Sequence, residues 1–337
     1  MSKDLSATMI NLADHRLGTK VLYATDDFFA EKENLIKPGR GEYIPDKYTE
    51  RGKWMDGWES RRKRVEGHDY CDIKLGLSGI INCLDIDTNH FLGNHPPYAS
   101  VEASNDNSIG ENTIWTEILP QSPLKEGSQN IFEISNTQKW KHVRLHIYPD
   151  GGVARFRVYG NPSVDWEEKK NVEQLDLASI RNGGQVLICN DMFFSDKNNL
   201  IMPGPGLNMG DGWETRRKRA KKLGVPLDPD WAILALGAPG IITEAEIDTS
   251  HFLGNFPDCA SLEALYLERA PKSIIEVLPD LTDKDWLTLL PKTKLKPNYK
   301  HYFKKEIQTL DRVTHVRIRI YPDGGISRLR LWGRPKF

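Results

Sequence analysis

The sequence predicts an all-β protein of two repeated jelly-roll β-sandwich domains. Three observations carry that reading. Long phrases of the first half return, in the same order, in the second. Short stretches alternate apolar and polar residues with period two, between Gly- and Pro-rich turns. Few stretches hold the 3.6-residue period of a helix. The 337 residues suffice for about two ordinary domains, and 39% are hydrophobic, enough to build real cores.

The repeats set the domain plan. KVLYATDDFFAEKENLIKPG from Lys20 matches QVLICNDMFFSDKNNLIMPG from Gln185. DYCDIKLGLSGIINCLDIDTNHFLGN from Asp69 matches DWAILALGAPGIITEAEIDTSHFLGN from Asp230. HVRLHIYPDGGVARFRVYG from His142 matches HVRIRIYPDGGISRLRLWG from His315. The plan is an N-terminal extension over 1–19, a first domain over 20–162, a polar connection over 163–184 and a second domain over 185–337. Each copy has the length of a full domain, so the chain is a tandem pair rather than a solenoid.

Within each copy the elements follow in order. DGWESRRKR (Asp56–Arg64) and DGWETRRKR (Asp211–Arg219) belong to a loop region between early strands, where Trp58 and Trp213 can pin the loop to the core. Ile80, Leu84 and Ile86, like Ile241, Ala245 and Ile247, share one face of a candidate strand. DTNHFLGN (Asp87–Asn94) and DTSHFLGN (Asp248–Asn255) follow that strand as a loop, where a rigid scaffold presents chemistry. A hairpin closes each copy. Val143, Leu145 and Ile147 alternate with Arg144, His146 and Tyr148, Pro149–Gly152 supplies the turn, and Ala154, Phe156 and Val158 alternate with Arg155 and Arg157. Val316, Ile318, Ile320, Leu329 and Leu331 repeat the apolar face in the second copy. Greek-key or jelly-roll wiring is expected.

Composition narrows the function. Lys and Arg number 46 against 47 Asp and Glu, which argues against a dedicated nucleic-acid binder. No run of about 18 apolar residues marks a membrane span, and MSKDLSATMINLADHRLG lacks the apolar core of a secretory signal. A cytoplasmic setting follows. Cys71, Cys83, Cys189 and Cys259 form no CxxC pair, so free thiols and no structural zinc are expected. No P-loop, GxSxG or dinucleotide fingerprint is present.

The recurring polar residues are the site candidates. Arg61, Arg62, Arg216 and Arg217 offer planar forks that can bind a carboxylate. Their plainer reading is a solvated basic surface paired with Glu59 and Glu214, as expected for the distal Lys63, Arg64, Lys218 and Arg219. Asp87 with His90, and Asp248 with His251, are candidate catalytic pairs: aspartate orients an imidazole, and histidine moves protons near neutral pH. The structural alternative has Asp and Thr capping a turn over a packed His. One Asp and one His are too few ligands for a metal, so no cofactor is expected, with a divalent ion left open. Glu102 and Glu263 lie in strand-like ASVEA and ASLEA, and Arg155 and Arg328 can pair with them across the sheet. Asp150 and Asp323 are turn formers.

Taken together, LIKPG/LIMPG, DGWE-RRKR, DT-HFLGN and YPDGG-R-R resemble the phrases of the allantoicases, of the fungal type. The resemblance covers nearly the whole chain, and its phrases are specific in combination. It implies hydrolysis of allantoate to ureidoglycolate and urea, in the use of purine breakdown products as a nitrogen source. It also implies two jelly-roll domains similar to galactose-binding or discoidin-like modules. Allantoate is a carboxylate whose central carbon bears two ureido groups. Loss of urea needs a proton on the leaving nitrogen and an activated water at that carbon. The Asp–His pairs suit the proton transfers, the arginines suit the carboxylate, and Asn94 and Asn255 can hydrogen-bond the ureido groups. A homo-oligomer is expected, with no nucleic-acid or membrane partner.

The copies differ at His95/Phe256, His146/Arg319 and Asp27/Met192, and the first carries the insertion EYIPDKYTERGK between Gly41 and Trp54. Both copies can act, or one can be a relic. The rival reading is a tandem carbohydrate-binding protein on the same scaffold, since a fold does not imply catalysis. A ligand-free, oligomer-forming scaffold is the weaker rival.

Overall fold

The computed structural model describes residues 9–219, 227–268 and 282–337. The chain divides into two compact units, Met1–Ser163 and Val164–Phe337. Strands and short 3-10 turns make up both.

Twelve strands build the first unit: β1 (Ile10–Asn11), β2 (Lys20–Ala24), β3 (Tyr48–Thr49), β4 (Gly52–Lys53), β5 (Trp58–Glu59), β6 (Asp69–Asp87), β7 (Tyr98–Ser104), β8 (Thr116–Pro123), β9 (Gln129–Glu133), β10 (Lys139–Tyr148), β11 (Gly152–Val153) and β12 (Arg155–Pro162). The long β6 runs through both layers of a sandwich. Its first half pairs with β2 and β10, β10 continues to β7, and β7 to β8. Its second half pairs with β12 and β9, and β12 with β1. All these pairings are antiparallel, so one face of each strand can pack inward while the other meets polar groups. Cys71, Ile73, Val101, Val143, Leu145 and Ile147 of one layer, and Leu84, Ile86, Phe156 and Val158 of the other, are fully buried. At roughly 25 cal/mol per Å² of apolar surface, such burial is the main favourable term of the fold.

The second unit repeats the plan with β13 (Leu175–Asp176), β14 (Gln185–Cys189), β15 (Trp213–Glu214), β16 (Asp230–Asp248), β17 (Cys259–Leu265), β18 (Leu287–Lys294), β19 (Lys300–Phe303), β20 (Val313–Tyr321), β21 (Gly325–Ile326) and β22 (Arg328–Pro335). The strand β16 takes the place of β6, pairing with β14, β20, β22 and β19. Among the described residues the β3–β4 hairpin has no counterpart here. It is formed by the insertion seen in the first copy alone.

Two details depart from the sequence reading. The units begin before the matched phrases. Ile10–Asn11 pairs with β12, and Leu175–Asp176, within the expected connection, pairs with β22. The role is shared while the residue changes: Asn11 Oδ1 accepts the Val158 amide at 3.0 Å, and Asp176 Oδ1 accepts the Leu331 amide at 3.0 Å. The face of β6 also shifts along its length. Tyr159 lies opposite Cys83 but Gly160 opposite Ile81, so Asn82 is an extra residue in the strand. That bulge turns Ile81 into the core and leaves Ile80 half-buried.

All four cysteines are free thiols. Among the described residues, no helix is long and apolar enough to cross a membrane.

Candidate active site

The DGWE-RRKR phrase is a staple. The indoles of Trp58 and Trp213 are fully buried, and each Nε1 donates to a backbone oxygen, of Asp26 and Asp191, at 2.8 Å. Gly57 leaves no room for a side chain: a Cβ there would lie 2.6 Å from the Val153 oxygen. The Ser60 amide donates to Gly151 O, and the Lys63 amide to the Asp150 carboxylate. The Thr215 and Lys218 amides make the same contacts with Gly324 and Asp323. The ammonium of Lys63 pairs with buried Asp69, and that of Lys218 with buried Asp230. Thus the phrase and the PDGG turn hold each other.

The aspartate of the phrase anchors the last hairpin. Asp56 Oδ2 accepts from Arg155 Nη2 at 2.6 Å, and Asp211 Oδ2 from Arg328 Nη2 at 2.7 Å. These guanidinium groups also donate to backbone oxygens of Asp56 and Ala154, or of Asp211, Ser327 and Gly204. Next along the strands, Arg157 binds the carbonyls of Leu35, Lys37 and Gly39, and Arg330 those of Met202 and Gly204. The LIKPG and LIMPG phrases recur because these arginines tie down their backbone.

The HFLGN loop leaves its strand through a tight turn. Thr88 and Thr249 donate to Lys125 O and Lys296 O at 2.6 Å. His90 and His251 take φ of 68° and 72°, the left-handed region that non-glycine residues rarely enter. Phe91 is fully buried over Gly152, where a Cβ would sit 1.9 Å from the ring. The loop then meets the staple: Asn94 Nδ2 donates to Glu59 Oε1 at 2.7 Å, and Asn255 Nδ2 to Glu214 Oε1.

The structure separates the candidates. Asp87 does not hold His90; its carboxylate takes the Arg40 guanidinium in a two-pronged pair at 2.9 and 3.0 Å, and caps the Asn89 amide. Asp248 likewise caps the Ser250 amide and is buried, with Lys300 Nζ 4.0 Å away. No catalytic Asp–His hydrogen bond forms among the described residues, because the turn sends carboxylate and imidazole apart. Arg155 and Arg328 are 3% and 2% exposed, and all their guanidinium nitrogens except Arg155 Nε meet frame atoms, so they bind the frame and not a substrate. They also miss Glu102 and Glu263. Glu102 Oε2 meets His146 Nε2 at 2.9 Å, and His146 Nδ1 meets His68 Nε2 at 2.9 Å. Glu263 pairs with Arg317 and Arg319. Alternation along β7 and β10, and along β17 and β20, explains this: the glutamates share the outward face with residues 144 and 146, or 317 and 319. Arg61 is engaged by Asp26 at 2.6 Å and lies over the Phe28 ring, and Arg216 lies over Phe193 with Asp191 at 3.8 Å. Arg217 is exposed. Arg62 borders a cavity, with Glu59, Asn94, His95 and Asp150.

Beside that cavity lies another of about 590 Å³, bordered by Phe29, Tyr43, Lys53, Met55, Glu59, His90, Leu92 and Asn94. Glu59 is half-buried, and burial pushes its carboxyl above the usual range, against the Asn94 hydrogen bond. Among the described residues the His90 ring makes no hydrogen bond; the Tyr43 ring lies 5.5 Å from it. Lys53 Nζ reaches the Tyr43 hydroxyl at 2.5 Å, and that hydrogen bond raises the lysine's pKa. A carboxyl whose pKa burial raises, an imidazole without a protein partner among the described residues, an amide and a cation therefore face one space. That set can move protons on a small polar anion. Among the described residues no group of three or more His, Cys, Asp or Glu is arranged to hold a metal ion.

Sequence reasoning read Glu59 only as a partner for the arginines, although it recurs in both phrases. Tyr43 and Lys53 sit in the noted insertion, and that one-sided insertion was the signal for them. Arg40 carried no signal, since Pro205 stands at its place in the second copy.

A family model described as "Allantoicase: Allantoicase repeat" matches residues 10–163 and 175–336. The chain is 48% identical over 326 residues to a "Probable allantoicase" of Photobacterium profundum, covering 96% of each. It is 47% identical to "Probable allantoicase 1" of Burkholderia mallei, covering 96% of this chain and 94% of the relative. The crystal structure of allantoicase from Saccharomyces cerevisiae superposes with a TM-score of 0.79 at 33% identity, over 98% of this chain and 96% of that one.

Proposed function

The chain belongs to the allantoicase family and hydrolyses allantoate to ureidoglycolate and urea, and on that premise we propose that the chemistry takes place in the cleft where the HFLGN loop meets the glutamate of the DGWE phrase. The observation that carries this reading is the Asn94–Glu59 hydrogen bond, which brings the two recurrent phrases to one cavity with His90. Glu59 is the proton donor and His90 the base. His90 takes the N–H proton of the ureido group that stays. A C=N bond forms at the central carbon, the C–N bond to the other ureido group breaks, and Glu59 protonates that nitrogen as urea leaves. Water then adds to the central carbon. Its proton returns to the Glu59 carboxylate, and His90 gives its proton back to the imine nitrogen. Asn94 orients Glu59 and offers its amide to the ureido groups. Asp87 acts at one remove, by fixing the turn that carries His90.

Glu59 and His90 supply and collect every proton in this scheme, so the proposal needs no metal. Urea release from allantoate is expected to survive dialysis against a chelator. Glu59→Gln removes the proton donor and is expected to lower kcat by about 10²–10⁴ with the fold intact. Wild-type turnover in that variant would reject the cleft.

A further inference from the structure

We propose that only the first unit turns over allantoate, and that Lys53 on its β3–β4 hairpin receives the substrate's carboxylate. The inference rests on the cleft assignment above. Both units present a cavity beside the HFLGN loop, of about 590 Å³ in the first and 520 Å³ in the second, so size does not separate them. Their chemistry does.

The first difference is the histidine. In the first unit the Gly41 carbonyl is satisfied by Asn89 Nδ2 at 3.0 Å, and His90 is left without a hydrogen bond among the described residues. In the second unit Ser250 stands where Asn89 does and is too short for that reach. His251 Nε2 takes over, meeting the matching Gly206 carbonyl at 2.8 Å. A carbonyl only accepts, so Nε2 must carry the hydrogen, and that nitrogen cannot take a proton from a substrate. His251 is thus tied to the frame through Nε2, with Nδ1 alone open, whereas both ring nitrogens of His90 are clear of protein partners among the described residues.

The second difference is the wall. The β3–β4 hairpin brings Tyr43 and Lys53 to the first cavity, with Tyr43 beside His90. It is held in place: Arg51 donates to Phe28 O at 3.1 Å, its guanidinium lies 5.3 Å over the Phe28 ring, and Lys47 lies 3.7 Å over Trp54. In the second unit the chain goes directly through Asn208 and Met209, and the residues bordering its cavity include no lysine, arginine or carboxylate. Allantoate is an anion, and Arg61 is already bound to Asp26 outside the first cavity. Lys53 is therefore the cation that lines the same cavity as Glu59 and His90. Its partner Tyr43 is a neutral hydroxyl, so a carboxylate can join it without displacing an ion pair.

The test uses two leucines at matching positions. Leu92 borders the first cavity and Leu253 the second, and both are exposed, so a bulkier side chain at either is compatible with folding. Urea release is measured from the full-length Leu92→Trp and Leu253→Trp variants. The expectation is a large loss of kcat/KM for Leu92→Trp and wild-type values for Leu253→Trp. Equal losses, or a loss confined to Leu253→Trp, overturn the inference. Lys53→Met gives an independent reading that does not depend on plugging. It is expected to raise KM about ten-fold or more with kcat little changed, the scale of one charged hydrogen bond, and Lys53→Arg is expected to restore most of it. An unchanged KM in Lys53→Met overturns the lysine's role. If Glu59→Gln keeps wild-type turnover, the reading of the cleft fails rather than the choice of unit.

Discussion

Asn94 and Glu59 make a pair whose chemistry can be tuned separately from its position. The hydrogen bond from Asn94 favours the charged carboxylate, while burial favours the protonated one, and burial wins. Asn94→Ala removes the opposing influence. The proton donor should then persist to higher pH, and the alkaline limb of the kcat profile should move upward while kcat/KM falls. A limb that stays in place would mean that Glu59 is not the titrating acid. Arg155 illustrates the opposite situation, a charge that serves the frame. It and Asp56 are both buried, so Arg155→Ala leaves a buried carboxylate with only the Glu42 amide and, 4.0 Å away, the Lys37 ammonium. The expected loss is about 3–5 kcal/mol of stability, measured by denaturant unfolding, with the corresponding fall in midpoint. A shift under about 1 kcal/mol would show that water reaches Asp56.

Among the elements, β6 carries an internal cost. Asp85 is buried beside Asp87, and its pKa rises from 3.8 to about 6, chiefly through burial, with the Gln129 hydrogen bond acting against the rise. The folded state thus binds this proton more tightly than the unfolded chain. Stability from this group is present below about pH 4, declines as pH rises through 6, and is absent above. Asp85→Asn should therefore stabilise the protein by roughly 2–3 kcal/mol at pH 8 and hardly at all at pH 4, as seen in Tm. An equal shift at both pH values would count against a buried charge. The apolar faces of β10 and β12 were legible in the sequence because a two-residue period leaves no choice of side once one residue is placed. The face of β6 was legible only in part. The extra residue at Asn82 reverses the alternation, and nothing in the letters INCL marks it. Edge strands β1 and β13 were missed because backbone pairing defines them and Asn11 and Asp176 fill one role with different side chains. The partners of Arg155 and Glu102 were misjudged for another reason. Arg155 binds a residue 99 positions away, and only the folded register shows which of several carboxylates it meets.

At the scale of the whole molecule, each unit has its own core and its own set of staples. Residues 1–163 and 164–337, made separately, should each give a cooperative thermal transition. Broad, non-sigmoidal melts from both halves would show that neither unit is a folding domain. The thiols should follow the same partition of inside and outside. Burial pushes Cys71 well above its ordinary pKa and Cys83 and Cys189 to about 11, so labelling of the native protein should be slow, and all four thiols should react once it is denatured. The family and the two-domain plan were readable because the repeated phrases are long. The reacting cleft was not, because the two units use the same phrases and differ in what hangs between them. That difference returns to one carboxylate. Asp56 Oδ2 accepts the Glu42 amide at 2.9 Å across fourteen positions of chain, and Asp211 Oδ2 accepts the Leu207 amide at 3.0 Å across four. The aspartate is a socket whose mouth has one width, whatever length of chain is plugged into it. Lengthening a loop between fixed ends costs only logarithmically more. After duplication, one copy could thus have gained a new wall without disturbing the frame, and the same socket can accept designed hairpins that carry other cations toward other acids.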